Sequence, residues 1–583
     1  MSKKKKKQRP NILFLMVDEE RFPTVYDNSE LKAWCKENLR THELLRDNGI
    51  EFMNHYIGSV ACAPSRATLF TGQYPSLHGV TQTTGIAKGG YDPDVFWLDP
   101  NTVPTLGDYF RAAGYRTFWK GKWHISEADI LQPGSHNGLT SYDQHTGIPN
   151  QEKEQYYVNA NRLDDYGFDG WVGPEPHGSD PRNSGSSAAH GVSGRDVIYS
   201  KQVVELIDSL EEDENDNDSP WLIVSSFVNP HDITLYGLLS RIDPRFEFNV
   251  SENMPAIPAA PTANESLLTK PVAQQSYKEV YQQAFQPTKD SEFLRQLYFS
   301  LQKQVDDEMY KIVDTLKQSK FYDNTIIIFT SDHGDLLGAH GGLFQKWYNT
   351  YEETTHVPFI IHSPELFSGR NTFEPLTSHV DVIPTLLGIA NIEVEEVKKI
   401  LSKEHTEVRP FVGRNLASVI KNESDCSSIH EPVYFMTDDD VTRGLNQVSL
   451  IGKPYESVEQ PNHIEAVIAK LKTPGNEVEE IWKFSRYFDN PQFWSNPGVE
   501  DVQVRTKDGV PITDDTEASI SVTKIKTTPV EEEFELYNIT RDPLEEINLA
   551  HPTNATVETK VIQKILEQML NQQREQKRLN PNV

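Results

Sequence analysis

The sequence predicts an α/β protein: a large, mostly parallel sheet sandwiched by helices, followed by a smaller C-terminal α+β subdomain. Three observations carry this. Five short apolar runs are rich in β-branched and aromatic residues, and several are apolar throughout, as strands covered on both faces are. Helical patterns separate the runs, as crossover connections require. After about residue 425 the alternation fades. A chain of 583 residues can bury one large core and a smaller one. The expected division is a disordered, solvated basic tail at 1–9, the main α/β domain at 10–425, and the α+β unit at 426–583.

In chain order, NILFLMV (11–17) reads as the first buried strand. A short apolar helix follows Cys62 and stops at Gly72. Val103, Leu106, Phe110 and Ala113 recur at helical spacing, with Gly114 as C-cap. YRTFWK (115–120), WLIVSSFV (221–228), TIIIFTS (325–331) and VPFIIHS (357–363) are the other strands. Residues 291–320 form a long amphipathic helix and 378–390 another. Two segments, 126–195 and 236–290, lack period and read as binding loops or lids. The acidic run at 211–218 reads as a solvated turn. Near the C-terminus, EFELYNITRDPLEEINLA reads as a strand and turn before a helix at 556–578. That helix carries a Val561, Ile562, Ile565, Met569 stripe, suited equally to docking on its own domain and to a homo-oligomer.

Charge narrows the partners. With 56 Lys and Arg against 86 Asp and Glu the net charge is −30. Such a surface repels nucleic acid and anionic membrane, so an anionic substrate needs a local basic pocket. The run Lys3–Lys7 is the exception and reads as a solvated tail. Three cysteines (Cys35, Cys62, Cys426) form no disulfide framework, which suits a reducing, cytoplasmic setting. The run at 11–17 meets DEER rather than a small-residue cleavage site, so it is expected to be a strand, not a leader. No stretch approaches the roughly 20 apolar residues of a membrane span.

Polar residues cluster where the strands end. Asp18 and Glu19 follow the first, Lys122 and His124 the second, Asn229 and His231 the third, Asp332 and His333 the fourth. If the strands are parallel, these gather along one edge, beyond the carboxyl ends where open α/β sheets bind ligands. Converging carboxylates and imidazoles suit a divalent cation, and lysines suit an anion beside it. Taken singly, each also has a structural reading: Asp18 as a helix cap, which is the weaker reading there, His124 or His231 as a structural histidine, and Lys122 as a surface lysine. Four such strand ends together do not fit a purely structural reading. Cys62 stands at a helix start with Pro64 in the first turn and Arg66 nearby. That setting favours an anion or a deprotonated nucleophile, and is equally open to a small buried cysteine on a loop.

CAPSRATLFTG (62–72) resembles the signature of the type I sulfatases of the alkaline phosphatase superfamily: Cys-x-Pro-Ser-Arg, a helix, then Thr-Gly. Its neighbours match in order. RPNILFLMVDE (9–19) resembles the family's opening strand and GYRTFWKGKWH (114–124) its lysine-histidine strand. DNTIIIFTSDHGDLLGAHGG (323–342) and QKWYNTYEETTHVPFII (345–361) resemble its second metal segment and following lysine, and FELYNITRDPLEEINLA (534–550) its C-terminal signature. The matches run from about residue 10 to 550, with unmatched loops at 126–220 and 236–290.

The resemblance implies an alkaline phosphatase-like fold and hydrolysis of a small-molecule sulfate ester to an alcohol or phenol plus inorganic sulfate. It implies oxidation of Cys62 to formylglycine by a transient partner, the formylglycine-generating enzyme. Asp18, Asp332 and His333 would bind one divalent cation, with the modified Cys62 as a further ligand. Glu19 stands where many members have a second aspartate. His333 stands where many arylsulfatases have asparagine, and a nitrogen ligand admits Mn²⁺ as well as Ca²⁺. The same Asp-His pair resembles phosphonate monoester hydrolases and choline-sulfatase-like members, so phosphonate or phosphodiester hydrolysis is the alternative. In the implied mechanism a hydroxyl of the formylglycine diol, polarised by the metal and Arg66, attacks sulfur. Lys122 and Lys346 neutralise the sulfuryl oxygens, His231 protonates the leaving group, and His124 takes a proton from the second hydroxyl as sulfate departs.

Overall fold

Alternation within one strand explains the layering. In the computed structural model, β1 (Asn11–Asp18) is buried at every position. Ile12, Phe14 and Met16 face one helical layer, with Ala63, Ala67, Phe70, Val382 and Leu386. Leu13, Leu15 and Val17 face the other, with Val203, Ile207, Val305, Met309 and Ile312. These helices are α1 (Cys62–Thr71), α2 (Arg195–Glu212), α3 (Glu292–Gln318) and α4 (Val382–Ile389). The six apolar side chains of β1 are all fully buried, a gross hydrophobic stabilisation on the order of 10 kcal/mol. The structure describes residues 9–579 apart from 177–180, 186–193, 214–218, 426–428, 474–477, 495–501, 508–509 and 512–520. The Lys3–Lys7 run, most of the 211–218 run and Cys426 lie outside the described residues.

The main sheet adds β2 (Gly49–Phe52), β3 (Arg116–Gly121), β4 (Trp221–Pro230), β5 (Thr325–Ser331), β6 (Phe359–His362) and β7 (Arg370–Phe373), in the order β3-β4-β1-β5-β6-β2-β7. β3, β4, β1 and β5 are parallel neighbours, and only β6 runs against its partners. Register aligns their ends: Gly121 pairs with Ser226, Val17 with Ser331, and, past an irregularity, Asp18 with Pro230. The polar residues after these strands therefore share one rim.

A second sheet is antiparallel, in the order β8 (Val433–Thr437), β9 (His463–Lys472), β10 (Glu479–Phe488), β11 (Glu533–Asn538). The α+β character expected after 425 is present, but β9 and β10 were not anticipated. The helix α5 (Val557–Gln576) docks on this sheet through Ile562, Leu566 and Leu570, which join Tyr434, Val467 and Trp482 in one core. The buried stripe thus runs i, i+4, i+8. Val561 and Ile565, expected on it, are 46 % and 37 % exposed.

Two boundaries shift, and two stretches gain structure. α1 starts at Cys62 rather than after it, with Ala61 as N-cap. The helix expected from Val103 starts at Leu106, because the Thr105 hydroxyl accepts from Gly107 N and Asp108 N and so caps it there. The aperiodic 126–195 and 236–290 stretches are not structureless: they hold helices Gln151–Ala160 and Val272–Ala284. Among the described residues no helix is long and apolar enough to cross a membrane.

Candidate active site

β1 delivers Asp18 and then turns sharply; Glu19 sits at φ 76°, its carbonyl accepting from the Tyr298 hydroxyl at 2.7 Å. β5 ends in Asp332 and His333. Asp332 caps the same turn, its Oδ1 accepting from Glu19 N at 3.1 Å and from His333 N at 3.0 Å. α1 delivers Cys62 from 270 residues away in sequence, and Ser65, one turn on, donates to the Asp332 carbonyl at 2.5 Å. Residues Asp18, Cys62, Asp332 and His333, all fully buried, bring one donor atom each within 4.8 Å of one another.

The donor set fits a divalent cation. His333 Nδ1 lies 3.0 Å from the Gly334 carbonyl, which fixes the hydrogen there and turns the Nε2 lone pair inward. That Nε2 is 3.2 Å from Cys62 Sγ and 3.6 Å from both Asp18 Oδ1 and Asp332 Oδ1. Glu19 points to the same place. It is fully buried and 3.3 Å from Lys346 Nζ, yet among the described residues neither its carboxylate oxygens nor that ammonium has a hydrogen-bond partner. Buried polar atoms without partners are costly and mark where another group belongs.

Arg66 is fully buried and spans both carboxylates: Nη2 donates to Asp18 Oδ2 at 2.9 Å and Nε to Asp332 Oδ2 at 2.8 Å. Nη1 donates to the Lys122 carbonyl and the Ser226 hydroxyl. The guanidinium thus holds the carboxylates in place and acts on Cys62 by charge, with no hydrogen bond between them among the described residues. Lys122 Nζ donates to Asp18 Oδ2 at 2.5 Å. Burial alone would raise Asp18, but Lys122, then His231 and Arg66, hold it well below the usual carboxylate range. Asp332 is pushed up to about 7 by burial and by the negative Asp18. The Cys62 thiol is pushed up to about 12 by burial and Asp18, against Lys346 and Lys122. Among the chain's own groups, burial and Asp18 thus outweigh Lys346 and Lys122 in keeping the thiol protonated.

His231, on the turn after β4, comes within 3.8 Å of Glu19 with 22 % of its side chain exposed, at the open side of the cluster. His124 stands apart from these contacts. Its Nε2 is 3.1 Å from Thr84 Oγ1, its ring is 6.3 Å from that of Trp97, and its N–H donates to Glu175 Oε1 at 2.9 Å. Nine of the eleven residues singled out in the sequence form one connected cluster; His124 adjoins it across the 83–84 loop, and Asn229 N donates instead to Asp196. Sequence reasoning missed Glu175, which accepts from both Trp123 N and His124 N, and Asp439, which accepts from Ala61 N at 3.2 Å. Neither carries a local signal, beyond the acidic triplet Asp438–Asp440 being buried just past an apolar strand.

Comparison with known proteins agrees with this geometry. A family model described as Sulfatase matches residues 10–392. The chain is 28% identical over 404 residues to an uncharacterised sulfatase, YidJ, of Escherichia coli (strain K12), covering 67% of this chain and 69% of that one. It is 28% identical over 410 residues to a choline-sulfatase of Rhizobium meliloti (strain 1021), with the same coverage. A solved structure described as in complex with its substrate D-glucosamine-2-N,6-O-disulfate shares the fold, with TM-score 0.56 at 17% identity over 98% of this chain and 99% of that one. The matched span contains every residue of the buried cluster, and the chain belongs to the sulfatase family.

Proposed function

We propose that this sulfatase hydrolyses a small sulfate ester to an alcohol or phenol and inorganic sulfate, using an oxidised Cys62 and one divalent cation. The carrying observation is the convergence of Asp18, Cys62, Asp332 and His333 within 4.8 Å, with two buried ammonium groups beside them. Asp18, Asp332 and His333 would hold the cation, with Glu19 as a further oxygen donor in reach of the same space. The nitrogen donor favours Mn²⁺ over a site that takes Ca²⁺ through oxygen alone. A cation there supplies Lewis-acid polarisation, and formylglycine at position 62, once hydrated, supplies an attacking hydroxyl and a second one through which sulfate is released.

The chain's own groups do the rest. Lys122 and Lys346, pinned by ion pairs to Asp18 and Glu19, present fixed positive charge to the sulfuryl oxygens, as preorganised stabilisation requires. In this reading His231, at the open side, protonates the departing oxygen. In the same reading His124, whose backbone N–H is held by Glu175, accepts a proton from the second hydroxyl. Arg66 holds in place both carboxylates that would bind the cation.

The Asp332-His333 pair favours a second reading, hydrolysis of phosphonate monoesters by the same constellation. One experiment separates them: steady-state turnover of an aryl sulfate and of a phenyl phosphonate monoester, with mass spectrometry of the Cys62 peptide on the same sample. Sulfate-ester turnover well above phosphonate turnover, with the peptide lighter than its thiol form by the formylglycine difference, is expected. Preference for the phosphonate overturns the first reading, and inactivity on both with Cys62 fully converted overturns both.

A further inference from the structure

The residue just before the nucleophile and the residue just after Lys346 share one carboxylate oxygen. Ala61 N donates to Asp439 Oδ2 at 3.2 Å, and the Trp347 indole Nε1 donates to the same oxygen at 3.0 Å. The other oxygen, Oδ1, accepts from Thr83 N at 3.1 Å, one residue before the Thr84 hydroxyl that meets His124. Asp439 is 4 % exposed and follows β8, in the C-terminal sheet. Its neighbour Thr437 completes the grip: that hydroxyl donates to the Val60 carbonyl at 2.6 Å and accepts from Asp439 N at 3.2 Å. The peptide between Val60 and Ala61 is thus held by its C=O on Thr437 and by its N–H on Asp439.

We propose that Asp439 is a positioning residue for catalysis: one carboxylate, just past the end of β8 in the C-terminal sheet, sets the spacing of Cys62, Lys346 and His124. The proposal rests on the sulfatase reading above and adds to it that the C-terminal subdomain builds the active site as well as packing against it. A carboxylate suits the task because it is acceptor-only, and all three groups facing it are donors. An asparagine there would turn an NH₂ toward at least one of them. The neighbouring contacts run the same way. Tyr348 donates to Asp440 at 2.9 Å, Thr350 and Ser485 hydroxyls lie 2.6 Å apart, and Lys483 donates to the Thr350 carbonyl at 2.7 Å. The whole Lys346 loop is thereby tied to the second sheet.

Two variants test this. Asp439→Asn keeps the shape and spoils the acceptor set. Trp347→Phe removes one N–H while keeping a ring to stack on Phe285. With equal Cys62 conversion verified by mass spectrometry, each is expected to lower kcat about 10- to 100-fold with KM roughly unchanged, the signature of misplaced reacting groups. The losses should be less than additive in the double variant, since both changes act on the one set of donors that Asp439 gathers. A crystal structure of Asp439→Asn reads the placement without turnover: Ala61–Cys62 and Lys346 should shift relative to Asp18. Wild-type kcat in both variants, losses that track only the folded or converted fraction, or an unmoved 60–62 segment would overturn the proposal. Absence of sulfate-ester turnover in the unmutated enzyme would instead sink the sulfatase reading, leaving the crystallographic comparison to decide this one.

Discussion

His231 is the side chain whose contribution depends most on the substrate. It stands at the open side of an otherwise closed cluster, where a leaving group must exit. General acid help is worth about 10²–10⁴ in rate when the leaving group is a poor one. His231→Ala should therefore retain far more kcat/KM on a nitrophenyl sulfate than on an alkyl sulfate. A parallel fall on both would remove it from that role. The strand-end residues were legible because each directly follows an apolar run, and a parallel register turns that local fact into a shared rim. Glu175 and Asp439 were not legible. Asp439 matters through Ala61, 378 residues distant in sequence, and through Thr83 and Trp347, and nothing near it in the sequence announces those contacts.

At the scale of elements, the second sheet meets the main domain through buried charge. Lys483 on β10 is fully buried and binds Glu352 Oε1 at 2.7 Å, Glu545 Oε1 at 3.0 Å and the Thr350 carbonyl. Burial alone would raise Glu352, but Lys483 and His356 hold it down at about 2, whereas burial pushes Glu545 up to about 7. Removing one partner from such a group strands the rest. Lys483→Met should cost about 3–5 kcal/mol of unfolding free energy by urea titration, while Lys317→Met on the exposed face of α3 should fall within about 0.5 kcal/mol of wild type. Equal stability of the two would mean the network is solvated after all. None of this pairing shows in the sequence. β9 and β10 carry charged residues between their apolar ones, Lys483 buried against Glu352 and Glu545, Glu465 against Arg486 and Arg574, and Glu480 against Arg541, so the apolar pattern that betrays the β1 strand is diluted.

For the molecule as a whole, buried imidazoles set how stability responds to alkali. His340 lies between Glu265 at 3.0 Å and Glu353 at 3.3 Å and stacks on Tyr351 with ring centroids 3.5 Å apart. Burial would lower it, but Glu353 and Glu265 prevail and raise it from 6.5 to about 9. His42, between Glu20 and Asp306, is raised to about 9 in the same way. A group whose folded pKa is raised stabilises fully below its unfolded pKa. That stability is lost as pH climbs through the folded value. The melting temperature should thus fall between about pH 6.5 and 9, each histidine contributing on the order of 3 kcal/mol. In His340→Gln the slope over that window should shrink, and an unchanged slope would show that His340 is neutral in the fold.

The sequence by itself determined the fold class, the strand ends that carry chemistry and the family. Apolar runs, helical spacing and a short motif are local properties, written within a few residues of one another. Only the tertiary structure decided how those residues are held: Arg66 on two carboxylates, Cys62 desolvated rather than ionised, and Asp439 reaching across from the second sheet. The reason is physical. Burial and hydrogen-bond geometry are set by what the folded chain brings near, and a pKa or a positioning contact exists only once distant segments have met.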